Sequence, residues 1–69
     1  MEVVEILING TTMQIIKDSS VADLVSQLEL PNAGVALAIN GSVIPKSTWA
    51  SVTLADKDRI ELISIAQGG

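Results

Sequence analysis

Asn9-Gly10 and Asn40-Gly41 each close a short aliphatic run, and they constrain the fold more than any other feature. Both central residues of a type I′ turn take positive φ, which Asn and Gly tolerate, so Asn-Gly between apolar runs marks a hairpin. Val3 to Ile8 is β-branched and too short for a confident helix, and TTMQIIK, Thr11 to Lys17, reads as the returning strand. Val35 to Ile39 runs into the second turn. Val43-Ile44 follows it, and Pro45 makes that segment a short edge strand or a strand end.

Between the hairpins the period changes. Ser20 and Asp23 fit a capping box, and Val21, Leu24, Val25 and Leu28 recur at the spacing of one helical face until Pro31 ends the helix. Lys46 to Thr53 reads as polar and irregular around Trp49, Asp56-Lys57-Asp58 as a turn, and Arg59 to Ile65 as the last strand. The expected class is α+β: a mixed sheet of about five strands with one helix packed on one face.

The chemistry available to the chain is narrow. Its 69 residues hold no Cys and no His, so thiolate ligands, a thiol nucleophile and the usual general base near neutral pH are all missing. Four basic against eight acidic residues, a formal charge of −4, argue against nucleic acid and against an anionic membrane face. Scattered carboxylates offer no metal site. The start, MEVVEILING, lacks a basic segment followed by a long apolar one, so no signal peptide is expected, and no apolar run approaches a bilayer span. These features read as a cytoplasmic protein that is not an enzyme.

Alternation splits each strand into two faces. Val4, Ile6 and Ile8, Leu37 and Ile39, and Ile60 and Leu62 should lie beneath the helix, leaving Ala36 and Ala38 outward. Leu7, Ile63 and Ile65 then fall on the open face. If the first and last strands are neighbours, those three form an apolar patch of the kind that meets a partner. Trp49 is expected to plug the core with its N–H on a backbone carbonyl. Lys46 reads as a solvated lysine, and Asp56 and Asp58 as turn carboxylates.

The run ISIAQGG has a chemistry of its own. Residues 66–69 have small or flexible side chains, bury little and should protrude as a flexible tail beyond a domain spanning 1–65. Extended, four residues reach about 13 Å. Gly68 and Gly69 let the backbone enter a narrow channel, and an ionised terminal carboxylate is a competent nucleophile toward the α-phosphate of ATP. The resulting acyl adenylate is open to sulfur or amine attack, so the catalytic groups can sit on partners.

These residues together resemble the ThiS family of ubiquitin-like β-grasp sulfur carriers of thiamine biosynthesis. The resemblance covers essentially the whole chain. An early strand ends at Asn9-Gly10, VADLVSQLEL matches the family helix, and GVALAINGSVIPKSTW matches its central signature before the last strand and Gly-Gly. Lys57 departs from the pattern by replacing the Gly of the usual Asp-Gly-Asp. A positive φ would strain a lysine, so the turn is expected to differ locally. The resemblance implies that the first and last strands are neighbours. It implies that an E1-like adenylating enzyme, ThiF-like, uses ATP and Mg²⁺ to convert the Gly69 carboxylate to an adenylate, the carrier itself binding no cofactor. Sulfur from a persulfide donor system then gives a thiocarboxylate, which thiazole synthase, ThiG-like, consumes. Gly69 would be the carrier residue, Gly68 a spacer, and Ala66 and Gln67 would lie in the partner channel. The alternatives are a sulfur carrier for molybdopterin, a ubiquitin-like modifier conjugated through Gly69, and a binding module using the open sheet face alone.

Overall fold

The computed structural model describes residues 2–29 and 34–64. Strands β1 (Val3–Ile8) and β2 (Thr11–Ile16) form the opening hairpin. Helix α1 (Val21–Gln27) follows, then β3 (Val35–Ile39), β4 (Ser42–Val43), one turn of 3-10 helix (Lys46–Thr48) and β5 (Arg59–Ser64). The sheet order is β2-β1-β5-β3-β4, so the last strand is the central one. It runs parallel to β1 and antiparallel to β3. The mixed five-stranded sheet and single helix agree with the expected class, and β1 and β5 are neighbours.

All four N–H groups that a helix start leaves without intrahelical partners find acceptors here. Ser20 N–H donates to Asp23 Oδ2 and Asp23 N–H to Ser20 Oγ, which completes the capping box. Val21 N–H donates to the Val52 carbonyl and Ala22 N–H to that of Trp49. The segment after β4 therefore caps the helix as it crosses. At the other end the helix stops earlier than Pro31 requires. Leu28 is the C-cap and Glu29 takes φ 55, so the chain leaves the helix through a left-handed residue.

The core lies between α1 and the sheet. Ile6, Ile15, Val21, Leu24, Val25, Leu37, Trp49, Leu54 and Ile60 are buried, with Val4, Ile8, Ile39 and Leu62 packed against them. Each fully buried aliphatic contributes about 1.5–3 kcal/mol over leaving it in water. Trp49 is 7% exposed, and its indole N–H donates to the Ile44 carbonyl at 2.9 Å. The segment around it is more regular than its composition predicts. Thr48 Oγ1 bonds the Pro45 carbonyl and Ser51 Oγ that of Thr48, which tightens the chain into its 3-10 turn.

Candidate functional site

The open face of the sheet is the surface on which the sequence places a partner, and its register decides which side chains meet. Leu7 stands beside Arg59, and Ile8 beside Ile60. Ile63 is four residues further along β5, about 13 Å from the level of Leu7 at ~3.3 Å per residue. Outward-facing Glu61 lies between those levels. Leu7 and Ile63 therefore do not form one patch. Strand alternation assigns a face but carries no register for a parallel pair, whose offset is set by the crossover. Leu7, half-buried, instead lines a groove with Asn9, Gly10, Arg59 and Glu61.

Ile63 has different neighbours. It pairs with Ala36 across β3, while Glu61 pairs with Ala38, and Ala38 in turn with Val43 on β4. Ile63 and Val43 are 49% and 69% exposed. The two small alanines lie between them on the outward face, with Glu61 beside Ala38. Ala36 and Ala38 face outward as expected, although Ala38 is only 7% exposed because its partners flank it on both sides. Val43 is a member of this surface that sequence reading missed. The signal was present in the alternation of a two-residue strand too short to phase. A separate apolar pair, Val3 and Ile16, lies at the far end of the face, 52% and 50% exposed.

Ile65, Ala66, Gln67, Gly68 and Gly69, and with them the boundary at 65/66, lie outside the described residues. What the structure shows is how the strand leading to them is held. Beyond Ile60, β5 pairs with β3 through Ser64 on one side. On the other side β1 has ended, and the Asn9 carboxamide takes over. Its Oδ1 accepts from Leu62 N–H at 2.9 Å and its Nδ2 donates to the Leu62 carbonyl at 3.3 Å.

The turn before β5 keeps its left-handed residue. Lys57 has φ 71, so the turn does not adjust to the lysine as expected. Asp58 accepts from Ala55 N–H and from Asn40 Nδ2, and Asp56 accepts from Glu5 N–H. Both carboxylates serve the turn. Lys46 lies exposed, its ammonium 6.0 Å from the centre of the Trp49 ring. No helix among the described residues is long and apolar enough to cross a membrane.

Comparison with known proteins bears on this arrangement. The sequence model of the ThiS family matches residues 6–69. The chain is 38% identical over 65 residues to the sulfur carrier protein ThiS of Escherichia coli strain K12, covering 94% of this chain and 98% of that protein. It is 29% identical over 65 residues to a thiazole synthase of Paramagnetospirillum magneticum, covering 94% of this chain and 20% of that protein. The crystal structure of the thiamine biosynthesis protein ThiS from Geobacter metallireducens superposes with a TM-score of 0.83 at 25% identity, covering 96% of this chain and 100% of that one.

Proposed function

The chain belongs to the ThiS family, and from that premise we propose that it is a sulfur carrier for thiamine biosynthesis, acting through the carboxylate of Gly69. It is a carrier rather than a catalyst. The observation that carries the reading is that the family match runs through residue 69 and so takes in Gly68-Gly69. The composition fits, since the chain has neither Cys nor His to do the chemistry itself.

An E1-like adenylating enzyme supplies ATP and Mg²⁺. A Gly69 carboxylate oxygen attacks the α-phosphorus and pyrophosphate leaves. The persulfide's terminal sulfur then displaces AMP to give an acyl disulfide. A second thiol of the donor system attacks the donor-side sulfur, leaving a disulfide on the donor and releasing the thiocarboxylate, which passes its sulfur to the thiazole. Docking to a thiazole synthase is supported by the match of this chain to one fifth of such a protein. The outward face that carries Ile63, Ala36, Ala38 and Val43 is the surface that meets the adenylating enzyme, with residues 66–69 in its channel. Leu7 contributes at most from the neighbouring groove. The partner enzyme's need for ATP supports a cytoplasmic setting for this work.

The test is the intact mass of the chain after incubation with an adenylating enzyme, Mg-ATP and a persulfide donor. The mass should rise by the difference between sulfur and oxygen, with the change mapping to Gly69, and deletion of Gly69 should abolish it. An unchanged mass with an enzyme active on another carrier would overturn the reading.

A further inference from the structure

Asn-Gly turns need an amino acid that tolerates positive φ at the first position, and Gly or Asp would serve there as well as Asn. The structure gives the Asn side chain a second task at both turns. Asn9 has φ 49 and Asn40 has φ 51, and the two turns lie on opposite flanks of β5. Each residue gives its own N–H to β5: Asn9 to the Ile60 carbonyl, Asn40 to that of Arg59. A regular strand would next offer its carbonyl to β5. Here the backbone has turned away, and the side-chain Oδ1 accepts instead, from Leu62 N–H for Asn9 and from Arg59 N–H for Asn40.

The two clasps differ in reach. Asn40 bonds the first residue of β5, and its Nδ2 goes to the Asp58 carboxylate rather than to the strand. Asn9 bonds both the N–H and the carbonyl of Leu62, the two groups that a longer β1 would meet with the carbonyl of residue 9 and the N–H of residue 11. From Leu62 onward, Asn9 is the last described hydrogen-bonding contact on the β1 side, and Gly69 lies seven residues further on.

We propose that Asn9 is a positioning residue for the carrier reaction: by continuing the β1 ladder with its carboxamide, it fixes the direction in which β5 delivers residues 65–69 to the adenylating enzyme. The proposal rests on the function proposed above. Without the clasp the far half of β5 is held by β3 alone, and a smaller fraction of molecules aims the terminus correctly. A reduced competent fraction weakens apparent affinity by that fraction, leaving the bound complex to react as before. The signature is therefore in KM and not in kcat.

The experiment measures ATP–pyrophosphate exchange by the adenylating enzyme with the carrier concentration varied. It compares the wild type with Asn9→Gly, Asn9→Asp and Asn40→Gly, and reads Leu62 amide hydrogen exchange in each free protein. Glycine keeps the turn and removes the carboxamide. Aspartate keeps the acceptor for Leu62 N–H but sets an oxygen against the Leu62 carbonyl. Asn9→Gly should raise KM about tenfold at constant kcat and speed Leu62 amide exchange by a similar factor. Asn9→Asp should fall between it and the wild type. Asn40→Gly, losing stability through the equivalent bond at Arg59, should keep the wild-type KM. Equal KM for Asn9→Gly and wild type, equal rises in both glycine variants, or an unchanged Leu62 amide would each overturn the positioning role while leaving the carrier function intact. If the wild type supports no exchange with a demonstrably active enzyme, the carrier function itself fails and the role of Asn9 fails with it.

Discussion

Lys57 is bound to Glu5 twice: its backbone N–H donates to the Glu5 carbonyl at 2.6 Å and its ammonium lies 2.9 Å from Glu5 Oε1. Between them the Lys57 backbone is left-handed, φ 71, which a lysine resists. The second bond offsets part of that strain. Hydrogen bonding to Glu5, then the charges of Glu5 and Asp56, raise the Lys57 pKa above its usual 10.5. A raised pKa means that the charged lysine favours the folded state, so the contribution is complete below pH 10.5 and is lost as pH climbs through the raised value. The Tm of wild type should exceed that of Lys57→Gln at pH 7, and the gap should close at strongly alkaline pH. In ~1 M salt, where the Debye length is about 3 Å, Lys57→Gly should be more stable than wild type, because the strain is gone and the ion pair is screened.

Ile63 and Val43 are exposed, so truncating them to Ala should change stability by less than about 1 kcal/mol. If their face of the sheet receives the adenylating enzyme, each truncation should raise KM for the carrier by about tenfold or more. Leu7→Ala, on the separate groove, should raise it less. Pyrophosphate exchange kinetics beside urea denaturation of each variant separates the two effects.

Trp49→Phe removes the indole N–H from the Ile44 carbonyl and leaves a small void beneath α1. The expected loss is about 2–3 kcal/mol in urea unfolding followed by circular dichroism. Trp49 is the one aromatic residue, so its fluorescence reports wild-type unfolding without interference.

Ser20→Ala breaks one half of the capping box and exposes Asp23 N–H. The cost should be about 1 kcal/mol, with Ser20→Asp recovering part of it, both read from urea midpoints.

The local elements were legible because their signals are local. Ser20 and Asp23 announce the helix start, Asn9-Gly10 announces the hairpin, and alternation alone sorts Ile6, Leu37 and Ile60 inward from Glu5 and Glu61. Even the Trp49 hydrogen bond followed from the rule that a buried indole seeks an acceptor. The proposed partner surface was only half legible. Ile63 was assigned to the open face, but its pairing with Ala36, and that of Ala38 with Glu61 and Val43, depends on long-range register, which no neighbouring residue in sequence reports. The carboxamide of Asn9 was hidden for another reason. Its turn role fully explained the residue, so nothing in the sequence pointed to Leu62, 53 positions away.

The strand order has a kinetic side. The middle of the sheet is made last, so β1 and β3 have no strand between them until synthesis has passed Ser64. Pairing across most of the chain length is slow relative to local hairpin closure, and folding must wait for it. A chain interrupted before β5 would lose the Ile60 part of its core and be open to proteolysis. Closure of the core over Ile60 thus waits on the strand that is made last.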